Sequence, residues 1–125
     1  MMKQQQWSTR TLSEIRTVLK KSSIDEQKKF KTHCKKGAGL IQRSGLIQAL
    51  CFLRARQGKE MGDYFCDALA RTYGYSSSEA LTTRSQRAEL GQYLMMTRDC
   101  IEIAIWFRRF AQIELAHIEA EDNED

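Results

Sequence analysis

Proline is absent from the 125 residues, so no position forces a helix to break. Closely spaced cysteine pairs are absent as well. Cys34, Cys51, Cys66 and Cys100 stand singly among apolar neighbours, whereas a structural metal site presents two ligands from one turn, as C-x-x-C does. That pattern suits reduced, buried thiols and implies neither a metal nor another cofactor. Histidine is scarce: only His33 and His117 occur. His33 adjoins Cys34, and neighbours on a helix point about 100° apart, so the two do not make a nucleophile–base pair. No catalytic residue is expected, and no enzyme. Long apolar runs are missing too. The longest candidate, Cys100 to Phe107, is interrupted by Glu102 and falls far short of the roughly 18–20 residues of a membrane span. Met1 to Gln6 have no apolar run behind them, unlike a secretory signal. A cytoplasmic protein without membrane partners is expected.

What is present suits one domain: 42% hydrophobic and 29% charged residues. The net charge of +4 conceals a division. Residues 1–60 hold fourteen Lys and Arg against four acids, a balance of +10, while residues 61–125 hold six against twelve, a balance of −6.

Few segments alternate in the manner of a strand, so helices dominate. The expected fold class is all-α, a bundle of about five to six helices with a long C-terminal one. Residues 1–118 form the single domain, and 119–125 an acidic, frayed tail. Thr11 or Ser13 is placed to cap a first helix ending near Lys21, with Ile15, Val18 and Leu19 inward. Asp25 and Glu26 suit the first turn of a second helix, from Ile24 to Arg43. A third runs from Leu46 to Arg56 and a fourth from Lys59 to Tyr73. Gly74 to Ser78 make a loop, Glu79 to Leu81 a helical turn, and a long helix spans Ser85 to Ile118. Leu46, Leu50, Phe52, Trp106 and Phe110 are core or subunit-interface residues, with Phe52 on a different side of its helix from the two leucines. Glu60, Asp63 and Asp67 share a face that could hold a divalent ion; the favoured reading is a solvated face with Asp67 pairing Arg71.

The second helix separates sharply by side. With Lys28 at zero, Phe30, Cys34, Gly37, Ala38 and Ile41 fall at roughly 180° to 280°, while Lys28, Lys29, Lys31, Lys35, Lys36 and Arg43 fall at roughly −60° to 100°. Gly37 and Gly39 each cost about 1 kcal/mol inside a helix, so the helix either breaks near Gly37 or uses the small residues for close packing. Clustered cations repel one another unless something negative faces them. A phosphate backbone, held without base readout, answers that need. Arg54, Arg56 and Lys59 extend the patch if the third helix folds back beside the second, and Arg108 and Arg109 can add to it. The alternatives are a solubilising face or one matched to the acidic half of the chain.

Two segments carry a resemblance. Gly45-Leu46-Ile47-Gln48-Ala49-Leu50-Cys51-Phe52-Leu53 resembles the Gly-Leu-x-Gln-x-Leu-x-Phe signature of the small subunit of the Cmr complex, the type III-B CRISPR effector. Tyr93, Thr97 and Ile101, followed by Trp106-Phe107-Arg108-Arg109-Phe110-Ala111, resemble that family's second signature, in the right order. The resemblance covers roughly residues 24–111. It implies a helical, non-catalytic subunit of an antiviral ribonucleoprotein, stacked in copies beside the repeated backbone subunit and the large subunit. It also implies contact with guide RNA and target RNA through basic surface. Carried onto this chain, the RNA-backbone positions are Lys28, Lys29, Lys31, Lys35, Lys36, Arg43, Arg54 and Arg109, of which only Arg109 lies inside a signature. Gly37-Ala38-Gly39 stands where the family often has proline, and Ser44 where it commonly has Asn. The small subunit of the type III-A complex is the nearest confusable relative, and a helical protein–protein adaptor without RNA binding is the alternative from another class.

Overall fold

A computed structural model describes residues 2–119 of the chain; residues 120–125, most of the expected acidic tail, lie outside the described residues. Within the described residues six α-helices follow one another: α1 (Lys3–Lys21), α2 (Ile24–Ser44), α3 (Leu46–Arg54), α4 (Gly62–Tyr73), α5 (Ser78–Arg87) and α6 (Leu90–Glu114). A 3-10 turn, Gly58–Glu60, stands between α3 and α4. No strand occurs among the described residues, and no helix among them is long and apolar enough to cross a membrane.

α2 and α6 form the central pair, with α1 and α4 packed against it and α3 and α5 joined to α4. The centre is a trio of phenylalanines, one from each of three helices. Phe30 of α2, Phe65 of α4 and Phe107 of α6 meet edge-to-face with ring centroids 6.1, 6.4 and 5.4 Å apart. Such pairs add about 0.5–1.5 kcal/mol beyond the area they bury. Leu46, Leu50 and Leu53 of α3 join this core. Trp106 and Phe110 are partly buried and stack on each other at 5.6 Å. The indole Nε1 of Trp106 donates to Gln4 Oε1 at 2.7 Å, which ties α6 to the start of α1.

α2 starts on a capping box: Ser23 Oγ accepts from the Glu26 amide, and the Glu26 carboxylate accepts from the Ser23 amide. It runs without a break through Gly37-Ala38-Gly39. The reason is close packing, since a Cβ on Gly37 would lie 2.8 Å from Phe65 Cζ. α2 ends at Gly45, whose φ of +83° with extended ψ is open to glycine alone. At that corner the Tyr93 hydroxyl accepts from the Ile47 amide at 3.2 Å. The glycine of the first signature and the tyrosine of the second are therefore neighbours in space.

Several boundaries depart from expectation: the last helix ends at Glu114 and not at Ile118, and the expected turn at Glu79 to Leu81 is part of a ten-residue helix, α5. α1 begins at Lys3, not near Thr11, because Trp7 and Thr11 continue the buried stripe of Ile15 and Val18. α4 begins at Gly62, because Met61 adopts a left-handed φ of +64° after the 3-10 turn. The expected long helix is divided: Ala88 and Glu89 are extended between α5 and α6. Packing dictates that division, since α5 lies on α3 and α4 whereas α6 lies along α1 and α2. One continuous helix cannot follow both directions. Cys51 also departs from expectation: it is exposed, while Cys34, Cys66 and Cys100 are buried and all four are free.

Candidate nucleic-acid interface

The apolar stripe of α2 faces the phenylalanine core, and only part of its opposite side is open to solvent, since Thr32, inside the cationic arc, is itself buried. Lys28, Lys35 and Arg43 are exposed there. At 1.5 Å of rise per residue they are spaced about 10 and 12 Å along the axis. The Arg43 guanidinium lies back over Gly39, where a Cβ would come within 3.1 Å of its Nη1. Among the described residues none of these three joins an ion pair. Several carboxylates of the chain meet other cations. Glu14 takes Arg71 in a two-pronged bond at 2.8 Å, Glu114 takes Arg16 at 3.2 Å, and Glu60 lies 3.7 Å from Lys29. Asp67 does not pair with Arg71; its carboxylate accepts from the Ser78 amide and fastens the start of α5.

Lys31 has a different task. Its ammonium donates to the Leu115 carbonyl at 2.8 Å and to the Ile118 carbonyl, closing the C-terminal end of α6. Carbonyls at a helix end have no partners within the helix, and the helix dipole favours a cation beside them. Lys31 is thereby committed inside the molecule. Arg54 points away from α2, toward α5, with Nη1 3.4 Å from Thr82 Oγ1 and Asp63 and Asp67 in the same depression. Arg109 is exposed on α6.

α3 does fold back beside α2, and between them lies a cleft of about 310 Å³. Leu40, Phe52 and Leu53 supply its apolar wall, and Lys36, Arg43 and Arg56 its cations. Phe52 is 49% exposed, and the Arg56 guanidinium sits 4.9 Å above its ring. His33 also borders the cleft. Its Nε2 donates to the Glu60 carbonyl at 2.8 Å, which pins the 3-10 turn to α2. Burial holds the imidazole below its ordinary pKa, and the nearby positive charges of Arg56 and Lys36 push the same way. Cys34 beside it is driven well above the ordinary thiol value by burial, so it is an inert core thiol. Among the described residues no group of three or more His, Cys, Asp or Glu is placed to hold a metal ion. Arg56 and the exposure of Phe52 are the parts of this surface that residue patterns place least well; the one sign is that Phe52 sits off the side of α3 that bears Leu46 and Leu50.

Comparison with known proteins agrees with the two signatures. The family model described as CRISPR-associated protein (Cas_Cmr5) matches residues 3–114. The chain is 34% identical over 108 residues to a curated Thermus thermophilus protein named CRISPR system Cmr subunit Cmr5, covering 86% of this chain and 91% of that one. Its fold matches the crystal structure of a CRISPR-associated Cmr5 family protein, also from Thermus thermophilus, with a TM-score of 0.79 and 30% identity, covering 95% of this chain and all of the other. With the match spanning nearly every helix, the chain belongs to the Cmr5 family, the small subunit of the Cmr (type III-B) CRISPR complex.

Proposed function

We propose that the chain is a non-catalytic, structural subunit that holds RNA by its phosphate backbone through the outer side of α2. The observation that carries this reading is the row of exposed cations Lys28, Lys35 and Arg43, which the carboxylates among the described residues leave unmatched. Lys36 and Arg56 border the same side, and Lys29 stands near it beside Glu60. Arg109 adds an exposed cation on α6; Lys31 and Arg54 are better read as internal fastenings. Contacts of this kind do not read sequence, which suits a subunit serving any guide RNA and target RNA.

Exposed Leu90, Leu94 and Met95 at the start of α6, with Ile113 near its end, favour protein contacts as well. We assign these positions to neighbours within the Cmr complex: further copies of this chain, the repeated backbone subunit and the large subunit. Weak single-copy RNA contacts would then add along a stack.

The test is single-stranded RNA binding measured across a salt series, with the triple variant Lys28→Glu/Lys35→Glu/Arg43→Glu alongside. Wild type is expected to lose affinity linearly in log salt, with a slope near −0.7 per neutralised phosphate. The variant should lose binding with its helical circular dichroism intact. Equal binding by the folded variant would refute the α2 assignment. An adaptor without RNA binding would instead show salt-sensitive self-association by light scattering and no RNA affinity.

A further inference from the structure

We infer that the cleft between α2 and α3 takes one unstacked base of a single-stranded RNA. The inference rests on the phosphate reading of α2 and adds a second kind of contact to it. A cleft of about 310 Å³ lies at the small end of ligand pockets. It has room for one planar group and none for a duplex, whose bases are in any case hidden in the stack. Its chemistry is two-sided. Leu40, Leu53 and Phe52 make an apolar wall, and the charged groups bordering the cleft are Lys36, Arg43 and Arg56, with no carboxylate among its lining residues. An apolar side chain from a protein partner would satisfy the wall but bring no anion to the Arg43 guanidinium. A lone phosphate would answer the charge and waste the wall. A nucleotide does both, placing a base against the wall and its phosphate beside the cations.

The aromatic platform is already built. Phe52 is a large apolar residue left 49% exposed in a helix whose leucines, Leu46, Leu50 and Leu53, are buried. The Arg56 guanidinium over its ring, at 4.9 Å, holds two flat groups together. Bases stack on both kinds of surface, and they do so with little regard to sequence because every base has a π-face. Position supports the same occupant. Arg43 belongs both to the exposed row on α2 and to the border of the cleft. A strand tracking Lys28, Lys35 and Arg43 therefore arrives at the cleft mouth, where one base can turn in while the backbone continues. His33, which borders the cleft, keeps its Nε2–H on the Glu60 carbonyl and so holds the 3-10 turn against α2 beside it.

Two RNA strands of equal length decide the matter, one oligoadenylate and one of the same backbone carrying abasic sites. Both are titrated into the intact chain, with backbone amide resonances of α2 and α3 as the readout. The oligoadenylate is expected to bind about 5- to 160-fold tighter, the range that stacking one base supplies. The largest shifts should fall at Leu40, Phe52, Leu53 and Arg56. Phe52→Ala, which removes an exposed ring, should bring the ratio of the two affinities close to one. Equal affinity of the two strands for wild type, with both lost in the α2 charge-reversal variant, would overturn the base cleft and leave the phosphate reading standing. No binding of either strand would overturn both. A ratio that persists in folded Phe52→Ala, with shifts elsewhere, would also overturn the cleft and free it for a protein side chain.

Discussion

Lys31 and Lys35 differ by four residues and one turn of α2, yet they belong to different parts of the molecule. Lys35 is exposed, while Lys31 closes the carbonyl end of α6. Identity alone does not separate them; what separates them is where α6 ends. Lys31→Met removes the charge and shortens the side chain by one atom, leaving the Ile118 carbonyl without its ammonium partner and the Leu115 carbonyl with the Ile118 amide alone. Charge-assisted bonds of this kind are worth about 1.5–3 kcal/mol, so a loss of about 2 kcal/mol in denaturant unfolding is expected, whereas Lys35→Met should stay within about 0.5 kcal/mol. Similar stability for the two variants would refute the distinction. His33 gives a second prediction at this scale. Burial lowers its pKa in the folded chain, while the unfolded chain titrates near the ordinary value of 6.5. As pH falls below about 6.5 the unfolded state takes up the proton first, so the His33 contribution to stability is complete above that value and is lost progressively below it. The melting temperature of wild type should therefore fall more steeply between about pH 7 and 5 than that of His33→Gln. Parallel pH profiles would show that His33 is not the group responsible.

At the scale of the element, α2 is the most legible helix. Asp25 and Glu26 announce its first turn, and the 100° wheel separates its apolar stripe from its cations, although Thr32, inside the cationic arc, is buried. The two readings of Gly37 are settled by contact and not by propensity. Gly37→Ala gains about 1 kcal/mol of helix propensity but drives a Cβ to 2.8 Å from a ring inside the phenylalanine trio, and overpacking costs about 1–3 kcal/mol. Gly39→Ala meets only the movable end of Arg43, at 3.1 Å. The first variant should be destabilised by about 1 kcal/mol and the second stabilised by up to about 1 kcal/mol in chemical denaturation. The same sign for both would mean that propensity, not the Phe65 contact, governs the position. The division between α5 and α6 is illegible for an opposite reason. Nothing between Ser85 and Leu90 disfavours a helix, since no proline or glycine stands there; the extended backbone at Ala88 and Glu89 answers the two directions in which the flanking helices must pack. The start of α1 is hidden because Thr11 carries a cap-forming hydroxyl yet lies fully buried in mid-helix.

For the whole molecule, the all-α class is legible because absent proline and helical periodicity point the same way, and the family is legible because two signatures stand in the right order along the chain; that they meet at Gly45 and Tyr93 is seen only in the fold. The cleft is less so: it needs α3 beside α2, a relation that no spacing within either helix encodes. The same three-helix centre makes a prediction about cooperativity. Cys34, Cys66 and Cys100 lie on α2, α4 and α6, the helices that supply the phenylalanine trio, and each is buried. Burial raises the pKa of all three, so neither access nor thiolate is available in the folded state. Cys51 on α3 is exposed. Alkylation of the native chain, followed by mass spectrometry, should add one adduct rapidly, at Cys51. If α2, α4 and α6 open only together, as a single small core should, the other three thiols become reactive over one denaturant transition that coincides with the loss of helical circular dichroism. Labelling of Cys100 or Cys66 ahead of that transition would show that α6 or α4 detaches separately, and that the trio is not the unit that holds the fold.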